Sequence, residues 1–331
     1  MRSGIKVAAL VGWMFLGCVV SAFAQQKGQW VPGQFGLNAG VIPDPGFTYA
    51  NLALNYSASQ LNNGSGNSIP GINGTYSFWV DENIIYYVPK HKFLGAYFMP
   101  YVALNYANGE LVANITGTNL STGGGGSGFA DMYVEPLNLG WHLKRADVNV
   151  GYAFSAPTGR FTPGASDNVG SGYWGNNITS GTTFYITKNK ATTANLSTDW
   201  EIHGQKSGTN ITPGQAFTIE WGLGQILPLK KDFSRLLQLG FVGYDQWQVS
   251  HSSGTLGPGI PEFSIPFYSV HAIGVQADFI LPAKNLAAFF KYYDEYHAIA
   301  RPQGRTIAFG FSWTLRIPKP EPPPQQPTAK P

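Results

Sequence analysis

The most constraining feature of this chain is a repeated alternation of apolar and polar residues between positions 47 and 315. Its clearest instance is the last stretch, where every second residue is apolar: Ile307, Phe309, Phe311, Trp313 and Leu315. Because successive side chains of a β-strand point to opposite faces, this stretch predicts a strand with one apolar and one polar face. Two soluble sheets would bury such apolar faces against each other, whereas a transmembrane barrel turns them to lipid and its polar faces to a lumen.

The first 24 residues predict a signal peptide, which favours the barrel. Arg2 and Lys6 supply the positive start, residues 7–15 are apolar, and residues 22–24 (AFA) form a small-x-small cleavage site. The apolar stretch is too short for a spanning helix. The mature chain is therefore expected to be either a soluble exported protein or an outer-membrane barrel.

Cys18, the single cysteine, lies inside this predicted signal peptide. Residues 15–18 (FLGC) resemble a lipoprotein signal only loosely, because an aliphatic residue is expected at Phe15, and lipidation stays an alternative. If cleavage follows Ala24, the mature chain has no cysteine, which excludes disulfide bonds and thiol catalysis.

Charge excludes nucleic acid as a partner. The chain has 21 Lys and Arg against 18 Asp and Glu, and removal of Arg2 and Lys6 leaves 19 against 18. No basic stripe is present. The 41 glycines, the 14% of aromatic residues and the low 12% of charged residues are typical of all-β envelope proteins.

We predict an all-β fold, a transmembrane antiparallel up-and-down β-barrel of about 12 strands. The turns at 90–93, 144–146, 188–190, 230–232 and 282–284 are short and mostly carry lysine, and the loops between them are usually longer. Barrels place short turns in the periplasm. The predicted location is an outer membrane of the Gram-negative type, surrounded by its lipid, with both termini in the periplasm.

Four segments follow from this interpretation: a signal peptide at 1–24, a periplasmic or plug-like segment at 25–46, the barrel at 47–317 and a Pro-rich periplasmic tail at 318–331. The segment 25–46 contains Pro32, Pro43 and Pro45 and is a poor strand. We expect it to fold into the periplasmic mouth or the lumen as a partial plug. The tail is expected to be extended, either solvated or in contact with cell-wall material.

Three local predictions depend on the alternation. In the first strand, Leu52, Leu54 and Tyr56 are expected outward, with Asn51, Asn55 and Ser57 inward. Residues 116–128 are expected to form a glycine-serine loop. The apolar positions change parity at Pro136, which cannot donate to a ladder, so a β-bulge is expected there.

The inner faces carry the candidate functional residues. The residues expected to line or fill the lumen are Asp131, Glu135, Asn149, Asp199, Glu201, His203, Glu220, Gln238, Gln246, Asp278, Lys291 and Glu295. They form either a structural hydrogen-bond network or a selectivity lining. Inner aromatic residues such as Tyr101, Phe289 and Tyr293 indicate a narrow, amphipathic passage.

The sequence predicts neither catalytic residues nor a cofactor. Gly123 to Gly126 lack the lysine and helix of a phosphate loop, and the six histidines show no pair at metal-ligand spacing. Some barrels modify lipids with outward serine and histidine. Ser269 and His271 share a strand face, so a barrel hydrolase stays open beside the simpler interpretation of an interfacial rim.

Two stretches resemble a known family. Residues 128–142 (GFADMYVEPLNLGWH) contain a glycine-aspartate pair, a proline and a Gly-Trp-His segment, and residues 148–159 (VNVGYAFSAPTG) end in Ala-Pro-Thr-Gly. Pro45 and Gly46 also fit the start of its first strand. The chain is similar to the phenol-degradation meta-pathway (SphA-like) family of outer-membrane proteins.

The resemblance implies a barrel associated with catabolism of aromatic and other hydrophobic compounds, and it brings no catalytic residues. The closing strand keeps Phe309, Phe311 and Trp313, which would serve as the signal for the barrel-assembly machinery, although a proline-rich extension follows it. The expected function is a channel or transporter for small hydrophobic or aromatic solutes. A purely structural barrel and a lipid-modifying hydrolase are the alternatives.

Overall fold

The computed structural model describes residues 28–118, 121–257, 260–261 and 266–316. It contains sixteen strands: β1 Gly46–Leu61, β2 Ile72–Val88, β3 Tyr97–Phe98, β4 Tyr101–Ile115, β5 Ser121–Phe129, β6 Met132–His142, β7 Ala146–Ala156, β8 Gly175–Tyr185, β9 Thr192–His203, β10 Ala216–Pro228, β11 Leu236–Gln248, β12 Thr255–Gly257, β13 Ile260–Pro261, β14 Ser269–Leu281, β15 Leu286–Ile299 and β16 Pro302–Arg316. A 3-10 turn at Pro282–Lys284 joins β14 to β15. The predicted signal peptide and Pro-rich tail lie outside the described residues.

The strands close into an antiparallel barrel, which confirms the predicted fold class. β1 pairs with β16 on one side and with β2 on the other. β3 and β4 follow one another along the same edge of β6, and β5 and β6 do so along β4. β12 and β13 form a separate two-stranded sheet, and the other fourteen strands occupy twelve positions around the wall. Within the described residues, no helix is long and apolar enough to cross a bilayer.

The predicted bulge at Pro136 is confirmed. Val134 pairs with Phe154 and Leu137 with Tyr152, so Glu135 and Pro136 together oppose a single residue of β7. The extra residue restores the facing pattern. It leaves Val134 on the outer face of the wall and Glu135 buried, and the apolar residues after the proline return outward.

The prediction for the first strand is wrong. Leu54 is 1% exposed inside the barrel, whereas Asn51 and Asn55 lie on the outer face. The register explains the inversion, because Asn51 pairs with Phe311 and Asn55 with Ile307. Residues directly opposite in an antiparallel pair share a face, and those β16 residues face outward as predicted.

The glycine-serine loop predicted at 116–128 is largely strand. β5 pairs with β4 from Ser121 opposite Asn114 to Phe129 opposite Tyr106. A Cβ atom added at Gly124 or Gly126 would collide with the backbone of Ser166 or Asp167. The glycines therefore allow the connection between β7 and β8 to lie across β5.

The connections differ in length at the two ends of the barrel. At one end they are short, as at 143–145 and 282–285; at the other, segments 62–71, 157–174 and 204–215 are long. In the short turn after β14, Asn285 has a left-handed backbone with φ of 50°, a conformation that asparagine tolerates better than most residues. We call these the short-turn end and the long-loop end.

Candidate functional site

The barrel interior is occupied by the luminal segment, Gly28 to Pro45. At the long-loop end, the backbone N–H of Gly28 donates to the Tyr268 hydroxyl at 2.9 Å. Near the short-turn end, the N–H of Gly40 donates to the Thr183 hydroxyl at 3.0 Å. The segment thus runs the length of the lumen before it joins β1.

Glu220 binds one turn of this segment from the wall. Its carboxylate accepts hydrogen bonds from the Gly33 N–H at 3.0 Å, the Phe35 N–H at 2.7 Å and the Trp30 indole N–H at 3.0 Å. These three donors are neutral, so they bring no positive charge to the carboxylate. Three hydrogen bonds nevertheless satisfy it far better than an apolar interior would.

Lys291 binds the same turn through its carbonyl oxygens. Its ammonium group donates to the carbonyl oxygen of Gly33 at 3.3 Å and to the carbonyl oxygens of Gln34 and Phe35. The turn therefore lies between a carboxylate that takes its N–H groups and an ammonium group that takes its carbonyls. We call this pair the Glu220–Lys291 clamp.

Further polar contacts extend above and below the clamp. Glu201 accepts hydrogen bonds from the N–H groups of Gln29 and Trp30. Lower down, the Asn38 side chain donates to Gln238 at 2.7 Å, and its backbone N–H donates to Asn195 at 2.9 Å. All of these partners lie on strands β9 to β11, so one side of the wall holds much of the segment.

Glycine is required where the segment turns. Gly33 and Gly36 have φ of 97° and 88°, which L side chains rarely adopt. A Cβ atom at Gly36 would lie 2.6 Å from the Gln276 amide oxygen and 3.1 Å from the Tyr293 hydroxyl. The segment therefore fits the lumen only with small residues at these positions.

The segment leaves little free space in this part of the lumen. A cavity of about 10 Å³ lies between Trp30, Phe35, Asp199 and Glu220. That is about the size needed to enclose one water molecule. A solute of the size of a benzene ring does not fit into this cavity.

The wall opposite Glu220 is mostly apolar. We call the inner faces of β1, β2 and β4 the apolar wall, which includes Leu52, Leu54, Tyr56, Phe78, Ile84, Val88 and Ala103, and which Glu82 interrupts with a carboxyl group. Val31 of the luminal segment packs against Leu52, Leu54 and their neighbours. Phe35 packs in the cluster that contains Ala103 and Ile84. This side meets the segment through apolar contact.

The inner faces of β7 to β11, β14 and β15 are the polar wall, and they contain most of the predicted lumen residues. This wall also has an apolar part, where Leu37 of the luminal segment packs with Val242, Tyr244 and Tyr293. The buried candidates are Glu135, Asn149, Asp199, Glu201, His203, Glu220, Gln238, Gln246, Asp278, Lys291 and Glu295. Of these, the ones bonded to the luminal segment are Asn149, Glu201, Glu220, Gln238, Gln246, Asp278 and Lys291. Their role in selectivity remains a prediction.

The other candidates bond mainly to loops or to other residues of the wall. Asp131 is only partly buried and accepts hydrogen bonds from the N–H groups of Ser171 and Gly159, so it organises the loop between β7 and β8. It also accepts a long hydrogen bond of 3.5 Å from the Gln29 side chain of the luminal segment. Asp199 accepts both of its bonds from the Asn177 amide, at 2.8 and 3.0 Å. Glu295 accepts a hydrogen bond from the Tyr56 hydroxyl at 2.8 Å.

Three strand residues that bind the luminal segment were missing from the sequence-based set, as were Tyr268 and Ser171 of the loops. The Gln276 amide oxygen accepts a hydrogen bond from the Leu37 N–H at 3.1 Å, and Asn195 and Thr183 bind Asn38 and Gly40. All three are uncharged residues on the inner parity of their strands. Their inner position is visible in the sequence from this parity, whereas the sequence-based set consists mainly of charged residues.

Two ionisable groups outside the strands shape the long-loop end. Burial raises the pKa of Tyr268, and the nearby Glu201 carboxylate raises it further, so the phenol stays neutral. Burial lowers the pKa of Arg301, but Glu295, whose carboxylate lies 3.6 Å from the guanidinium, reverses this and leaves the pKa raised. Arg301 also donates to Gln246 at 3.1 Å.

Of the residues considered for a barrel hydrolase, His271 pairs with Asp245, and no hydrogen bond between His271 and Ser269 is seen among the described residues. The His271 Nδ1 atom lies 2.6 Å from an Asp245 oxygen, and the His271 ring packs edge-to-face on Trp247. Ser269 is buried on the same strand. Across the described ranges, no group of three or more metal-ligating side chains is present.

Comparison with solved structures identifies the fold of the barrel. A computed fold similarity relates the chain to an outer membrane channel from Pseudomonas putida F1, with a TM-score of 0.66, 13% identity, and coverage of 87% of this chain and 100% of that one. The transport unit of the autotransporter AIDA-I from Escherichia coli follows at a TM-score of 0.50 and 10% identity, covering 91% and 98%. The fold is that of outer-membrane β-barrels.

Family membership rests on the sequence. Residues 58–311 match the model of the family described as "Putative MetA-pathway of phenol degradation", and this chain belongs to that family. The match spans most of the barrel and confirms the resemblance found in residues 128–159. No curated protein sequence matches the chain significantly.

Proposed function

We propose that the protein is an outer-membrane channel for small hydrophobic or aromatic compounds, closed by the luminal segment and opened when that segment shifts. Membership of the family and the barrel fold support the channel class. The nature of the solute is inferred from the lumen itself.

The observation that carries the proposal is the asymmetric attachment of the segment. Directional hydrogen bonds with Glu220 and Lys291, together with the packing of Leu37, hold one side, whereas the other side is covered by apolar contact of Val31 and Phe35 without such bonds. Apolar contact is non-directional, so an apolar solute can replace it at small cost. A polar solute would leave its own groups unsatisfied against that wall. The path of entry therefore lies between the segment and the apolar wall.

In this proposal Glu201, Glu220 and Lys291 hold the luminal segment in its closed position, and they are not an ion filter. Their charges are occupied by the backbone and indole of the segment. A solute that displaces Val31 can leave these bonds in place. The luminal segment then moves while it stays bonded to the polar wall.

The orientation is part of the proposal. Short turns face the periplasm in barrels of this class, which places the end of β16 on the periplasmic side. Gly28 lies among Tyr268 and the long loops at the other end. We therefore propose that the C-terminal end of the barrel faces the periplasm and that the luminal segment runs towards the outer mouth.

Solute flux into liposomes tests the function. Purified barrel in vesicles should admit small aromatic solutes faster than sugars of similar mass, and protein-free vesicles should show no such preference. Equal, negligible flux for both solute classes would instead indicate a structural barrel. Turnover of lipid esters in the same vesicles would favour the hydrolase.

A further inference from the structure

The outer face of β1 and β2 carries polar side chains where lipid is expected. We call Tyr49, Asn51, Asp81 and Asn83 the outer polar cluster. All four lie on the outer parity of their strands, and Asn55 and Ser77 extend the polar surface. The carboxylate of Asp81 lies near the middle of β2 and is exposed.

Hydrogen bonds join this cluster into one unit. The Asn51 amide donates to Asp81 at 2.6 Å, and the Asn83 amide donates to the other Asp81 oxygen at 3.4 Å. The Tyr49 hydroxyl donates to the Asn83 amide oxygen at 2.6 Å. Both amides thus donate to the Asp81 carboxylate, and the Asn51 amide also donates to the Glu82 carbonyl oxygen at 3.2 Å.

The neighbouring surface shows that this height is inside the apolar belt. On β16, Phe309 pairs with Ala53, and Ala53 pairs in turn with Asp81. Phe309 is 48% exposed and lies between Ile307 and Phe311, which are also exposed. A carboxylate and two amides therefore lie one or two strands away from a continuous apolar surface.

Hydrocarbon cannot satisfy these groups. Two amide hydrogen bonds leave lone pairs of the Asp81 carboxylate without a donor, and charged groups on the lipid face of barrels are destabilising near the midplane. An ionisable residue at this depth is accordingly expected to face protein or water. The polar surface needs a covering that supplies both donors and acceptors.

We propose that this face binds the same face of a second copy of the chain. A two-fold interface brings one patch against itself, so the patch must be self-complementary. Asparagine meets this condition, because each side-chain amide both donates and accepts. Asn51 uses both of its amide hydrogens within its own chain, so the remaining lone pairs of each Asp81 carboxylate accept the second Asn83 N–H of the other copy. Tyr49 and Phe311, whose rings are in contact, lie at the margin.

Disulfide crosslinking in membranes tests this interface. Ala53 lies on the outer face between Asn51 and Asn55, and Leu223 lies on the outer face of β10 and is 55% exposed. Ala53→Cys should form a covalent dimer under mild oxidation, whereas Leu223→Cys should stay monomeric. The chain without an added cysteine controls for Cys18.

The mass of the purified barrel provides an independent measurement. Native mass spectrometry in a mild detergent should show a dimer, and the triple variant Asn51→Leu, Asp81→Leu and Asn83→Leu should lower the dimer association constant by about tenfold or more. Heat-modifiable gel migration checks that this variant is folded. A folded wild-type barrel that is monomeric in the detergent and gives no Ala53→Cys crosslink in membranes would overturn the proposal, whether lipid or another protein then covers the face.

Discussion

The polar wall and the apolar wall of this barrel are built by the same alternation but obey opposite rules. On β9 the inner face is polar and the outer face carries Leu196 and Trp200. On β1 the inner face carries Leu52 and Leu54, and the outer face carries asparagine. Alternation thus establishes that a strand has two unlike faces, but not which of them meets lipid.

The difference between the walls gives the lumen its proposed mechanism. A uniformly polar lumen would hold the luminal segment from all sides, and a uniformly apolar one would leave its peptide groups unsatisfied. With one wall of each kind, the segment has a fixed side and a replaceable side. Changes to the segment, to the clamp and to the apolar wall should therefore alter conductance and solute flux by different amounts.

Removal of the luminal segment should have the largest effect. A chain lacking residues 28–42 loses both the clamp contacts and the apolar contacts, so its conductance in planar bilayers should rise from near zero to that of an open pore. Val41, which is 39% exposed, provides a control, since Val41→Ser should leave conductance low. Unchanged conductance in a folded deletion variant would show that the segment does not close the channel.

Loss of the clamp should open the channel partly. Glu220→Gln or Lys291→Met removes charge-assisted hydrogen bonds to the Gly33 turn, and each such bond contributes about 1.5–3 kcal/mol. The open fraction should increase roughly tenfold for each 1.4 kcal/mol lost. Single-channel recording measures this fraction.

Lys284→Met removes a lysine charge from an exposed turn and is the matched control. If it opened the channel as much as Lys291→Met, general electrostatics rather than the clamp would be responsible.

A methyl group at Gly36 should displace the segment without changing any charge. Gly36→Ala places a Cβ atom against Gln276 and Tyr293, whereas Gly71 also has positive φ but nothing within 4 Å of its added Cβ. Both substitutions strain the backbone by roughly 1 kcal/mol, so only the steric contact differs. Protease cleavage near Gly28 should increase in Gly36→Ala alone, and equal cleavage in both would contradict the proposed fit.

The smallest expected effect is on solute preference. Leu54→Asn puts an unpaired amide on the apolar wall at a cost of about 1–3 kcal/mol, so the flux of aromatic solutes should fall while sugar flux stays low. Leu315→Asn makes the same change on the outer surface. A similar fall of aromatic flux in both variants would indicate that the apolar wall is not the path.

Several elements were predictable because their signal is local. The β16 pattern, the inner face of β9 and the bulge at Pro136 each follow from side-chain parity and from the missing N–H of proline. The inner position of Glu220 and Lys291 followed in the same way. Their shared hold on one turn did not, because residues 33–35 lie far from both in sequence.

By itself the sequence determined that this chain forms strands with unlike faces, enough of them to close a barrel, and a proline-containing segment that joins no strand. These properties depend on neighbouring residues and on backbone chemistry. Tertiary structure alone decided that β1 turns its leucines inward and that the luminal segment runs through the whole lumen. Both depend on pairing between distant strands, since one register with β16 sets the facing of every residue in β1.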